Sequence, residues 1–148
     1  MRIEEEIKQA KFKTNKEKAL VNLLYTYHWL KNAHNKQYKS YGISSQQYNV
    51  LRILRGQHPK PASIKLITER MLDKSSNASR LVDKLLLKGL VERHNCPDDR
   101  RQVDVLISKK GLELVEKSIE ENNKSMEVIN LSEEESDVIS NLLDKMRG

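Results

Sequence analysis

One stretch constrains this chain more than any other: between Ser75 and Ile107 the apolar period changes from helical to alternating across a single glycine. Ala78, Leu81, Val82, Leu85 and Leu86 recur at helical spacing, which gathers them on one face of a helix. Gly89 closes that helix, because glycine enters the left-handed region of a C-terminal cap without a Cβ penalty. Leu90–His94 and Val103–Ile107 follow as short, β-branched runs, with Val103, Val105 and Ile107 on one face. The segment between them, Asn95-Cys-Pro-Asp-Asp-Arg-Arg-Gln102, is polar and turn-forming. An amphipathic helix therefore runs straight into a β-hairpin.

The elements before and after complete the pattern. Ser63 caps a short helix carrying Ile64, Ile67 and Met71, and a tight turn at Leu72-Asp73-Lys74 leads to Ser75-Ser76, read as the next cap. His58-Pro-Lys-Pro61 is loop, since each proline disfavours helix at the residue before it. Ahead of it, Ser44 and Gln47 form a capping box for a helix with Tyr48, Leu51, Ile53 and Leu54, ending near Gly56. Ile3 to Tyr38 reads as one long helix, frayed at its start because Lys11 to Lys18 is almost wholly polar. Ser108 opens a fifth helix with Leu112, Val115 and Ile119. A second capping box at Ser132 opens a sixth, with Val138, Ile139, Leu142, Leu143 and Met146.

The fold class is thus mainly α with a small β-hairpin: a winged helix-turn-helix with long N- and C-terminal dimerisation helices. We divide the single domain, residues 1–148, into a DNA-binding lobe at 44–107 and dimerisation helices at 1–38 and 108–148. The motive for a homodimer is surplus apolar helix. Leu20, Leu23 and Leu24 at one end and Val138, Leu142, Leu143 and Met146 at the other exceed what one winged helix covers.

Charge points to the partner. The net charge of +6 suits a polyanion, and its distribution is uneven. Residues 1–59 carry eleven Lys and Arg against four acids, and residues 60–101 ten against six, whereas 102–148 carry six against eleven. The basic character sits on the first two thirds, where double-stranded DNA would bind. With the apolar stripe of the fourth helix turned inward, Asn77, Arg80, Lys84 and Lys88 share the outer face, although most such faces are simply solvated. Asn suits adenine and Arg suits guanine, while Ser75 and Ser76 are within reach of phosphate or base edges. In the hairpin loop, Arg100 and Arg101 are placed for a narrow minor groove, and Asp99 for ordering an arginine beside it. An exposed Asp/Arg loop with weak ion pairs is the plain alternative.

These residues carry a family resemblance. Leu51-x-x-Leu54, Ser79-Arg-Leu-Val-Asp-Lys-Leu85, Lys88-Gly-Leu-Val-Glu-Arg93, Asp98-Asp-Arg-Arg101 and Ser108-Lys-Lys-Gly111 closely resemble the MarR family of multiple-antibiotic-resistance-type regulators. The closing Leu131-Ser-Glu-Glu-Glu is similar too. The resemblance spans nearly the whole chain and implies a homodimer whose first, fifth and sixth helices interlock. It further implies two winged helices reading a pseudo-palindrome, with repression as the default and Arg101 as the minor-groove residue beside Asp99. Ile64-Lys-Leu-Ile-Thr-Glu-Arg-Met71 departs from the family's usual Leu-Ala pattern. No cysteine stands in the first helix, unlike the peroxide-sensing branch.

Other classes fit less well. A basic, nucleoid-type dimer without operator specificity would share the fold but bind every duplex alike. An enzyme would need a nucleophile and base, a metal or a phosphate loop, and none of those motifs stands in the sequence. His28, His34, His58 and His94 lack ligand spacing, so neither metal nor cofactor is expected. Cys96 is the sole cysteine and reads as an incidental thiol; with no apolar N-terminal run, no membrane partner is expected and the expected location is cytoplasmic. If a small aromatic or lipophilic effector controls the protein, it enters near the first two helices. All seven aromatic residues precede residue 49, and Tyr25, Trp29 and Tyr48 are the candidate ligand residues.

Overall fold

The protein is described here by a computed structural model covering residues 1–95, 103–126 and 130–148. Its elements in chain order are α1 (Ile3–Glu6), α2 (Asn15–Ser40), α3 (Ser45–Gln57), β1 (Ala62–Ser63), α4 (Ile64–Arg70), α5 (Ala78–Leu87), β2 (Val91–Asn95), β3 (Val103–Ile107), α6 (Lys109–Met126) and α7 (Glu133–Arg147). The architecture is the expected one: mostly helical, with a small antiparallel sheet ordered β1-β3-β2. In the hairpin Val91 faces Ile107 and Arg93 faces Val105, so the apolar positions of both strands fall on the same face.

Local caps set most boundaries. The Ser44/Gln47 and Ser132/Glu135 capping boxes form in full, and the Ser63 hydroxyl accepts from the Leu66 N–H. Gly89 takes φ +66°, which lets Leu90 N–H reach back to the Leu85 carbonyl and end α5.

Two expectations need correction. The N-terminal helix is not continuous: α1 stops at Glu6, and α2 starts at Asn15 behind Thr14, whose hydroxyl accepts from the Glu17 N–H. Thr14-x-x-Glu17 was the signal, overshadowed by the polar run around it. Second, β1 was unforeseen. Two residues carry no periodicity, and Ala62–Ser63 become a strand only because Val105 and Asp104 lie beside them.

The core sits in one lobe. Val50, Leu51, Ile67, Val82, Leu85, Val105 and Val115 are fully buried, joining α3, α4, α5, the sheet and the start of α6. The long flanking helices contribute little: α2 buries only Tyr38 and α7 buries nothing. Leu20 and Leu24 on α2 and Val138, Ile139, Leu142 and Met146 on α7 are each between 44 and 59% exposed. The open apolar positions of each helix therefore lie outside the lobe's core.

Gly111 locks α6 to the lobe. A Cβ there would lie 2.8 Å from Ile107 Cγ1 and closer still to the Leu90 carbonyl oxygen. Around this contact Ser108 N–H donates to Leu90 O (3.1 Å) and Ser108 Oγ to Gly89 O (2.7 Å), while Lys110 Nζ donates to Lys88 O (3.0 Å). The Lys88-Gly-Leu and Ser108-Lys-Lys-Gly motifs are thus two halves of one joint.

Candidate nucleic-acid interface

The turn between α4 and α5 is organised by Asp73. Its carboxylate accepts from Ser75 N–H (3.0 Å), Ser75 Oγ (2.6 Å) and Ser76 Oγ (3.0 Å), and these donors hold its pKa below the usual range. Leu72 N–H donates to Asn49 Oδ1 (2.9 Å), pinning the turn to α3. The cap of α5 is Asn77, whose Oδ1 accepts from Arg80 N–H at 3.0 Å, not Ser75 or Ser76. Asn77 therefore holds the helix start, and its carbonyl oxygen is already engaged. The two serines keep exposed or half-exposed hydroxyls whose protons are committed to Asp73, leaving acceptor lone pairs outward.

Along α5, Ala78, Val82 and Leu85 face the core, Leu81 is partly buried, and Leu86 stands 39% exposed at the edge. Arg80, Lys84 and Lys88 are all exposed, as the spacing requires. Ser79 is exposed too, in the first turn of α5 beside Arg80, where a lone serine carries no periodic signal in the sequence. Asp83, also on the outer side, pairs with Arg93 of β2 at 2.6 Å and ties the helix to the hairpin. Helix, turn, second helix and hairpin thus follow in the order of a winged helix-turn-helix, with α5 in contact with both α4 and β2. Asp99, Arg100, Arg101 and Cys96 lie outside the described residues, as does the tip of the hairpin loop.

The aromatic candidates do not meet. Tyr25 and Trp29 line a cleft of about 480 Å³ with Ile3 and Glu6 of α1, where Tyr25 OH donates to Glu6 (2.5 Å). Tyr48 is instead buried in the core, its ring stacked on Tyr38 at 4.3 Å between centroids. Nearby, Tyr41 at the end of α2 donates to Glu121 of α6, and burial together with that bond pushes its pKa up to about 12. Among the described residues no group of His, Cys, Asp and Glu is placed to hold a metal, and no helix is long and apolar enough to cross a membrane.

The chain's likenesses agree with this geometry. Residues 41–102 match the model of the MarR family. The HTH-type transcriptional regulator MhqR of Bacillus subtilis (strain 168) is 28% identical over 131 residues, covering 87% of this chain and 89% of the relative. A MarR transcription factor from Planctomyces limnophilus is 31% identical, with 93% and 98% of the two chains covered and a TM-score of 0.68. The S. aureus MepR–DNA complex, 24% identical, shares the fold at a TM-score of 0.70 over 84% of this chain and 91% of that one. With α5 exposed beside a hairpin it is salt-bridged to, and with identity sustained over nearly all of the Planctomyces limnophilus regulator, the chain belongs to the MarR family of DNA-binding transcription regulators.

Proposed function

We propose that this protein is a repressor that binds a pseudo-palindromic operator as a homodimer and works in the cytoplasm, with α5 in the major groove and the hairpin loop in the adjacent minor groove. One observation carries the reading: α5 projects Arg80, Lys84 and Lys88 into solvent while its opposite face is buried in the lobe's core. Ser75, Ser76 and Ser79 at the helix start face phosphate or base edges, and Asn77 contributes by fixing that start. Asp99, Arg100 and Arg101 are assigned to the minor groove on the sequence alone. Pairing of two copies through α2 and α7 is supported by their open apolar faces, and two copies of α5 related by a two-fold axis would read two half-sites. The lobe at 44–107 would then be the reading head and the end helices its dimer frame. For control by a small aromatic or lipophilic effector, the cleft at Tyr25 and Trp29 is the supporting feature, with Tyr48 left out as a core residue.

The test is selection of duplexes from a random pool, followed by titration of the two arginine variants. Arg80→Ala should cost about 1–3 kcal/mol at particular base pairs. Arg101→Ala should weaken all duplexes and flatten the salt slope by about one unit. Equal affinity for selected and random DNA would instead mark a nucleoid-type protein, and two silent variants would remove both assignments.

A further inference from the structure

Asp73 stands where charge argues against it: an exposed carboxylate in the turn leading into α5 repels a polyanion. Among the described residues no cation lies within ion-pair distance of it. Its hydrogen bonds show what it does instead. Asp73 Oδ1 accepts from both Ser75 N–H (3.0 Å) and Ser75 Oγ (2.6 Å), and Oδ2 accepts from Ser76 Oγ (3.0 Å). The Asp73 backbone carbonyl takes the remaining donor, Ser76 N–H, at 3.2 Å. A serine has one backbone and one hydroxyl donor, so all four polar hydrogens of the pair end on a single residue. The start of α5 does not need them, because Asn77 Oδ1 caps it through Arg80 N–H at 3.0 Å. Ser75 is exposed and Ser76 half-buried, and their hydroxyls have only lone pairs left to offer. The same serine donors hold the Asp73 pKa below the ordinary range, so the carboxylate is charged at neutral pH and it too only accepts.

A surface that only accepts hydrogen bonds, beside a negative charge, is mismatched to phosphate, whose oxygens also only accept. The major groove supplies what matches. Its hydrogen-bond donors are the exocyclic amines, N6 of adenine and N4 of cytosine, whereas thymine O4 and guanine O6 accept. Each base pair carries the amine on one strand and the keto oxygen on the other, so an acceptor reads which strand bears the amine. We propose that Ser75 and Ser76 select amino bases, adenine or cytosine over thymine or guanine, by accepting from the exocyclic amine, and that Asp73 is the positioning residue that imposes this polarity by taking the serine protons. The inference rests on the reading of α5 as the major-groove helix and narrows it, since phosphate contact then falls to Lys84 and Lys88. A free serine discriminates poorly, because its rotating hydroxyl donates to a keto oxygen as readily as it accepts from an amine. In this turn the same rotation breaks a charge-assisted bond and sets a second acceptor against the carboxylate. Asp73 thus lowers affinity for DNA in general and raises discrimination between bases.

The experiment is selection from a random duplex pool by the full chain and its variants, scoring each position for amino against keto bases, followed by titration of selected and random duplexes. Half-sites selected by the unmodified chain should hold a position where amino bases are preferred about tenfold, the scale of one base contact. The double variant Ser75→Ala, Ser76→Ala keeps the Asn77 cap and the Ser76 N–H bond to Asp73 O, so the turn survives. It should erase the amino preference, leave the other positions as they were and bind random duplexes as before. Asp73→Asn offers one side-chain acceptor oxygen where two hydroxyls donated, so one serine proton is released. Its amino preference should fall, and it should bind random duplexes several-fold more tightly because an anion is gone. A merely structural role for Asp73 requires the reverse, weaker binding of every duplex, and that result overturns the positioning. An amino preference that survives the double variant overturns the readout, as does an equal loss of affinity for selected and random duplexes, the mark of phosphate contacts. Arg80→Ala separates the inference from the reading beneath it. If that variant relaxes a selected position while the serine and Asp73 variants are silent, the inference falls and α5 remains the reading helix. If the unmodified chain selects no sequence, both fall.

Discussion

Replacing Gly111 with alanine should destabilise this protein, although the same exchange usually strengthens a helix. In an open helix, glycine to alanine gains up to about 1 kcal/mol because the backbone loses less entropy on folding. Gly111 lies in the first turn of α6, where a Cβ would stand 2.8 Å from Ile107 Cγ1, 3.2 Å from the Leu90 carbonyl carbon and closer still to its oxygen. Ordinary contact begins well beyond those distances, and the obstacle is backbone that cannot rotate away. The helix must lift, at the about 1–3 kcal/mol typical of overpacking. Lifting also strains the hydrogen bonds from Ser108 to Leu90 O (3.1 Å) and Gly89 O (2.7 Å), each worth about 1 kcal/mol net. Against the helical gain, a net loss of about 2 kcal/mol is expected, or roughly 4–8 °C in melting temperature for a chain of this size. Gly56, with nothing within 4 Å of its added Cβ, supplies the control: Gly56→Ala should be neutral or stabilising. Both variants are compared by urea and thermal unfolding at one protomer concentration, because an oligomer's stability depends on it. If Gly111→Ala proves as stable as the unmodified chain, the joint is looser than argued and α6 does not hold the hairpin through Leu90.

Asp83→Asn should change stability by less than about 1 kcal/mol, since the Asp83–Arg93 pair is part-exposed, yet raise affinity for random duplexes and lower it for selected ones. Unchanged discrimination on competition titration would show that the pair does not orient the hairpin. Truncation after Leu131 removes α7, and with it the open faces of Val138, Leu142 and Met146. The product should be a monomer or insoluble; a folded, DNA-binding monomer on light scattering refutes the dimer frame. Cys96→Ser should bind DNA as before and respond to peroxide no differently, the outcome expected of an incidental thiol. A peroxide response that disappears with the thiol would give Cys96 a redox role.

What could be read without coordinates was whatever one or two turns of chain decide for themselves. The Ser44, Ser63 and Ser132 caps, the Gly89 stop and the paired alternation of Val91 and Val103–Ile107 all formed as expected, since each satisfies its own backbone groups within a few residues. The outward face of Arg80, Lys84 and Lys88 followed from the same logic, because burying Val82 and Leu85 leaves those positions no other direction. Competition between neighbours was harder to judge: Asp73 recruits Ser75 and Ser76, and only then is Asn77 left as the cap. Features that depend on distant partners were invisible in one dimension. The strand at Ala62 exists because β3 lies beside it, and Tyr48 belongs to the core because Tyr38 stacks on it from another helix. Lys39, Gln47 and Lys84 form one crevice only when α2 crosses near α5. Composition and spacing specify which face of an element is apolar or charged; which faces then meet is settled by packing, where burial and backbone sterics act between residues far apart in the chain.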